Sequence, residues 1–275
     1  MRIVSLCPSN TEILGFMGLT ENIVGVDNYS DWPEEVNMLP RLGPDLDINM
    51  DAVEALKPDL IIASLSVPGM EKNIDRLEER GLPFIILNPN NLEEIGDDLL
   101  AVGEATGQEI LANKAYLKYK GFLEKFSMLS VKVQEKPSLY WEWWPKPVFT
   151  PGGENWLTEI SALAGGRNVF ADDGRASVKT NWEDVMKRDP GYILMAWVGV
   201  KEQMMKPELL KKRPGWPEMD ALKNNRIYVM EESLYCRPSP RLLLGLQRLG
   251  ALLHPDIFPA FDAKKAEEWL CQHAE

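Results

Sequence analysis

The sequence predicts an α/β protein of two lobes with mainly parallel sheets, bridged by one long α-helix. Three observations lead there. Short β-rich runs alternate with helical ones through residues 2–87, and the alternation resumes after Pro137. A helical stretch from about Gln108 to Gln134 lies between the two alternating regions. The two regions also repeat each other in part, with matching segments in the same order.

Taken in order, "RIVSLC" (2–7) is continuous and apolar, as in a parallel strand buried on both faces. Ser9 with Glu12 three residues on reads as a capping box that starts a helix, and Gly18 suits its end. "NIVGVD" (22–27) is the next strand. "MDAVEALKPDLIIAS" (50–64) is a short helix, a break at Pro58 and a strand. "MEKNIDRLEERG" is an amphipathic helix ended by Gly81, and "LPFIILN" a further strand. Helical pattern then runs from Leu92, interrupted near "EATGQE". Its second piece would be roughly 40 Å long, suited to a connection between lobes, with a two-helix hairpin as the alternative. The expected division is therefore a lobe over 1–107, a bridging helix over 108–136 and a lobe over 137–275.

The repeat is read from short matches. "TEI" at 11–13 with Gly18 recurs as "TEI" at 158–160 with Gly165. "DAVEALKPDLIIA" (51–63) resembles "EDVMKRDPGYILM" (183–195), so that Val53 meets Val185 and Pro58 meets Pro190, 132 positions apart. Two similar Rossmann-like lobes follow. Parallel sheets bind ligands beyond the carboxyl ends of their strands, which predicts a ligand cleft between the lobes, lined by loops such as "CPSN" (7–10), "DNYSDWP" (27–33), "EWWPKPVFTPGG" (142–153) and "EESLYCRPSPR" (231–241). Aromatic residues concentrate in these loops: Tyr29, Trp32, Trp143, Trp144, Trp182, Trp197 and Tyr235. "YWEWWP" alone holds three of the nine tryptophans. Such a wall suits a large, flat, mostly apolar ligand.

Composition narrows the function. The chain has 275 residues, 45% of them hydrophobic, a net charge of -12 and mean hydropathy of -0.24. Nucleic acids and anionic membranes are polyanions, so this charge disfavours both. No stretch reaches the ~20 apolar residues of a membrane span, and no signal peptide precedes "RIVSL". The protein is thus expected to be cytoplasmic if Met1 is its native start, and extracytoplasmic if a leader was removed. Cys7, Cys236 and Cys271 form no disulfide framework or CxxC motif, and unpaired thiols are expected. The two histidines, His254 and His273, make a His-based metal site improbable. "DLDINMDAVEAL" fails as a calcium loop because Met50 and Leu56 stand where the turn glycine and bidentate glutamate belong; Asp47, Asn49 and Asp51 read as capping and turn residues. No hydrolase, kinase or dinucleotide motif occurs. A binder without cofactor or metal is favoured over an enzyme.

The stretch "RIVSLCPSNTEILGFMGLTENIVGVDNYSDWPEEV", followed by "DLDINMDAVEALKPDLIIAS", "FTPGGENWLTEI" and "RPSPRLLLGLQRLGALLHPD", resembles the class III, helical-backbone substrate-binding proteins of ABC importers. These handle cobalamin, iron–siderophores or haem, and the likeness is greatest to the vitamin B12 binders. The resemblance extends over nearly the whole chain and implies the two-lobe fold with its bridging helix. It implies a corrinoid ligand, an importer permease as partner, and a monomer without enzymatic activity.

Residue by residue, Tyr29 matches a tyrosine that contacts the corrin, and Arg237 a cleft arginine. Tyr235 stands where a phenylalanine is found, Ser64 where a tryptophan is, and Leu234 replaces another aromatic. Trp143 and Trp144 would compensate, with Trp197 beside them. Family members dock through one surface glutamate per lobe; Glu71 matches the first, and the repeat offset points to Glu202 for the second, with Glu208 in reserve. An iron–siderophore reading stays open, with Lys146, Arg175, Lys179 and Arg237 as its cations. So does haem, with Tyr29 or Tyr235 as axial ligand. A cytoplasmic corrinoid carrier or sensor is the rival from another class.

Overall fold

The computed structural model describes residues 1–272; His273 lies outside them. The chain divides into two units. The first comprises residues 1–121, Pro238–Pro240 and 264–272; the second comprises Phe122–Arg237 and Arg241–Ala263.

In the first unit the order is β1 (Ile3–Ser5), α1 (Pro8–Phe16), β2 (Ile23–Val26), α2 (Met50–Ala55), β3 (Leu60–Ser64), α3 (Glu71–Glu79), β4 (Phe84–Leu87) and α4 (Leu92–Thr106). The four strands form one parallel sheet in the order β2-β1-β3-β4. Its apolar interior gathers Val4, Leu42, Ile48, Val53, Ile61 and Leu77. Asn49 caps α2 by accepting from the Ala52 N–H at 3.2 Å, as its turn role predicts.

The start of α1 differs from the expected capping box. Pro8 occupies the first helical turn, so Cys7 is the N-cap and no side chain caps it. Proline has no N–H to satisfy there, and its fixed φ favours the position. Ser9 falls inside the helix, while Glu12 is buried and accepts a hydrogen bond from the Ser239 hydroxyl. Burial pushes the Cys7 thiol up to about 11, so it is an inert packing residue at neutral pH.

The long helix α5 spans Glu109–Ser130, and the division between the units falls inside it, after Gly121. Its first half packs on α4: a Cβ on Gly96 would stand 3.1 Å from Tyr116, and the Tyr119 hydroxyl donates to the Leu92 carbonyl at 3.0 Å. The hairpin and the connecting helix, posed as alternatives, are both present.

On α4 the Asp98 carboxyl has a buried oxygen without a hydrogen-bond partner, and burial, with Glu94 and Asp97 nearby, raises its pKa to about 7. A carboxyl raised above its unfolded value destabilises the fold progressively as pH climbs from about 4 through 7. Asp98→Asn should therefore gain about 1–3 kcal/mol over the parent at pH 8 and nothing at pH 4. Urea unfolding at the two pH values checks this, and an equal gain at both would count against it.

The second unit continues with β5 (Ser138–Glu142), β6 (Trp144–Pro145), β7 (Val148–Pro151), α6 (Trp156–Leu163), β8 (Arg167–Asn168), β9 (Ser177–Thr180), α7 (Trp182–Arg188), β10 (Tyr192–Met195), α8 (Asp220–Lys223), β11 (Ile227–Val229), α9 (Glu232–Tyr235) and α10 (Leu242–Leu253). Its parallel sheet runs β11-β10-β5-β8. Counted from the first strand of each unit, both sheets have the order second, first, third, fourth, which is the topological form of the sequence repeat. The loop expected at 142–153 instead forms part of a small antiparallel sheet, β6-β7-β9, completed by Ser177–Thr180.

The last helix, α11 (Ala263–Cys271), corrects the expected 137–275 lobe: from residue 264 it belongs to the first unit. Lys118 Nζ donates to the carbonyls of Trp269, Leu270 and Gln272 at 2.7, 3.0 and 2.7 Å, closing the helix's carboxyl end. The indole of Trp32 donates to Glu267 at 3.0 Å. That contact and the close fit of its ring over Gly15 make Trp32 a packing residue rather than a ligand wall.

Candidate functional site

The carboxyl end of β5 carries the densest chemistry of the second unit. The strand ends on Glu142, whose side chain is 0% exposed. Its carboxylate faces Arg213, 5% exposed, through two hydrogen bonds, one from the second guanidinium nitrogen at 2.9 Å. The Tyr140 hydroxyl donates to the same carboxylate at 3.2 Å and the Trp197 indole at 3.1 Å. Arg213 lies over the rings of Trp216 and Trp182, at 4.3 and 4.9 Å. The Trp182 indole donates to the Pro145 carbonyl at 3.2 Å, and that of Trp216 to the Trp182 carbonyl at 3.1 Å.

Two tryptophans stand on this frame. Trp144, paired with Phe149 across the antiparallel ladder, is 40% exposed. Trp197 meets it with ring centroids 6.3 Å apart and planes tilted by 56°. Trp143 has its backbone pinned on both sides, donating to Phe149 at 2.9 Å and accepting from Val198 at 3.2 Å. Its ring sits 5.8 Å from Trp156, and its indole nitrogen is buried without a hydrogen-bond partner. The arrangement offers flat apolar surface with fixed orientation, and no reactive group at that surface.

In the first unit, Tyr29 is presented by a turn that follows β2. Its backbone N–H donates to the buried Asp27 carboxylate at 2.6 Å, Ser30 donates to the same carboxylate, and Arg41 holds the carbonyls of Asp27 and Ser30 at 3.0 and 2.5 Å. Tyr29 is 53% exposed.

Two expected ligand residues are corrected. Tyr235 is a core residue: 0% exposed, its ring 5.2 Å from Trp141 and its hydroxyl donating to the Gly245 carbonyl at 2.9 Å. Burial drives its phenol pKa upward, so it serves neither as ligand wall nor as axial phenolate. Ser64 is buried and holds its own turn, its hydroxyl 2.8 Å from that of Ser66 and accepting the Ser66 N–H at 3.1 Å. Leu234 is likewise buried. Arg237 is mostly buried and ion-paired with Glu232 at 3.1 Å.

Of the surface glutamates, Glu71 is exposed at the first turn of α3, where its carboxylate accepts the Gly69 N–H at 2.7 Å. Glu202 is only half-exposed, with one carboxylate oxygen buried and unpartnered, whereas Glu208 is exposed. Cys7 and Cys236 are free thiols. The sequence reading missed Glu142 and Arg213. A carboxylate closing the aromatic strand "LYWE" was the available signal, because a buried anion requires a cation. Nothing local identified Arg213 as that cation.

The family model for periplasmic binding proteins matches residues 3–234. The chain belongs to the periplasmic binding protein family. It is 30% identical over 267 residues to an uncharacterized ABC transporter substrate-binding lipoprotein, YvrC, of Bacillus subtilis, covering 94% of this chain and 81% of the relative. The crystal structure of the periplasmic vitamin B12 binding protein BtuF of Vibrio cholerae is similar at 25% identity with a TM-score of 0.74, over 97% of this chain and 98% of that one. A periplasmic haem-binding protein of Pseudomonas aeruginosa is similar at 25% identity with a TM-score of 0.80, over 94% of each chain. A periplasmic binding protein of this kind is a non-enzymatic transport component: it carries a small molecule as cargo, holds no resident cofactor, and works with an ABC importer permease. No described helix is long and apolar enough to cross a membrane.

Proposed function

We propose that this periplasmic binding protein captures a corrinoid, cobalamin or a close relative, for an ABC importer. The observation that carries the reading is the exposed Trp144 ring set against Trp197 on a buried polar frame. With Trp143 beside it, it supplies flat apolar area of the kind that a corrin ring buries. The likeness to a vitamin B12 binder supports it. The placement of the cations supports it over an anionic ferric siderophore. Arg175 is held by Asp173 in a bidentate pair at 2.8 and 2.6 Å, and Arg237 by Glu232. Of the four cations of the siderophore reading, Lys146, Lys179 and Arg175 are exposed, and Arg175 already has its charge met by Asp173. We place the protein outside the cytoplasm, as its periplasmic and lipoprotein relatives are.

Titration with cyanocobalamin, following tryptophan fluorescence and the corrin bands, tests this directly. Saturable one-to-one quenching is expected. Trp143→Ala with Trp144→Ala should weaken binding about tenfold or more with the fold intact. Absence of binding at tens of micromolar, with haem or a ferric siderophore binding instead, overturns the corrinoid assignment.

For the permease we propose Glu71 and, in place of the half-buried Glu202, Glu208 as the docking carboxylates. Glu71→Ala should leave cyanocobalamin affinity unchanged and lower uptake by the reconstituted importer; wild-type uptake removes Glu71 from the docking surface.

A further inference from the structure

The Glu142–Arg213 pair is buried behind the surface assigned to the ligand and reaches it only through the Trp197 indole, and its carboxylate takes hydrogen bonds from Arg213, Tyr140 and Trp197. Stability alone is a poor reason to bury it, since an apolar pair of similar volume usually does as well. Its contacts trace a closed circuit. Glu142 holds the Trp197 indole; Trp197 meets Trp144; the Trp144–Pro145 strand is held through the Pro145 carbonyl by Trp182; Trp182 lies under Arg213; and Arg213 returns to Glu142. Each link constrains a different degree of freedom: the tilt of one indole, the position of the strand bearing the other, and the distance between them.

We infer that Glu142 and Arg213 are positioning residues that preset Trp144 and Trp197 before the ligand arrives. The inference rests on reading those two indoles as ligand surface. An indole free to change rotamer must be ordered on binding, and that ordering lowers affinity. A circuit that orders both beforehand removes that cost from association and transfers it to folding.

The test is the double variant Glu142→Gln with Arg213→Met, which removes the charge pair without leaving either charge alone. In the ligand-free protein, the near-ultraviolet circular dichroism contributed by Trp144 is taken as the difference between a protein and its Trp144→Phe derivative. That difference should be distinct in the parent and largely lost in the double variant, and cyanocobalamin affinity should fall about tenfold. An unchanged difference spectrum with unchanged affinity overturns the positioning role. Should the double variant not fold, Trp197→Phe, which keeps a ring but loses the N–H to Glu142, decides in its place: parental spectrum and affinity overturn the proposal, and loss of both supports it. Failure of the underlying reading is distinguishable. If Trp144→Ala binds cyanocobalamin like the parent while the double variant loses the dichroic signal, the indoles are positioned but are not the ligand surface.

Discussion

Arg213→Met alone should lower the unfolding free energy by about 3–5 kcal/mol at pH 7.5. The substitution leaves Glu142 at 0% exposure with only the neutral donors Tyr140 and Trp197. The stranded carboxylate must then be hydrated or protonated, and either route strains the core around Tyr140, Phe170 and Trp216. Urea unfolding of parent and variant at pH 7.5 measures the deficit, and adding Glu142→Gln should restore most of it. A deficit that Glu142→Gln leaves unchanged would instead point to lost packing of the guanidinium on Trp182 and Trp216.

Gly152→Ala is the second large effect, on the order of 3 kcal/mol. An added Cβ would stand 2.1 Å from the Arg175 carbonyl oxygen and 2.8 Å from that of Asp173, both backbone atoms. A side chain in the way could rotate aside, whereas these carbonyls belong to the turn that leads into β9. Relief requires β7 and β9 to part, breaking the Gly152 N–H bond to Ala176 and disturbing the ladder on which Trp144 stands. Gly174→Ala is the matched control, since nothing lies within 4 Å of its Cβ position. It should be neutral within about 0.5 kcal/mol. Equal midpoints in denaturant for the two variants would contradict the close approach.

What the sequence revealed and what it hid follow from the range of the interactions. Parallel strands buried on both faces announce themselves as apolar runs, so the four strands of the first sheet were legible, and the repeat of "TEI" and "DAVEALKPDLIIA" anticipated two similar units, whose main sheets share one strand order. The break between α4 and α5 was legible because Gly107 adopts a left-handed conformation, φ 66°, at the end of α4. The sheet β6-β7-β9 was read as loop because Pro145, Pro147 and Pro151 and a two-residue strand imitate loop composition, while its pairing partner Ser177–Thr180 lies far along the chain. The capping box at Ser9 failed to a competing local rule, proline at the first turn. Tyr235 and Ser64 were misplaced because strand-end position was taken for exposure. Tyr235 points instead into the packing of α9 on α10, where Gly245 leaves room for it. Glu142 and Arg213 meet across 71 positions with no local pattern to join them.

The return of α11 to the first unit bears on how the protein is made. The ribosome delivers residues 1–121 before the second unit, and the helix that Lys118 and Trp32 hold only after it. The second unit is thus nested inside the first along the chain, and its main segment is contiguous when it emerges. The first unit must wait: until the last helix arrives, the Lys118 ammonium lacks its three carbonyls and Trp32 lacks Glu267. Completion of the earlier unit thereby waits for α11, and a chain stopped before Ala263 carries a first unit with its closing helix missing.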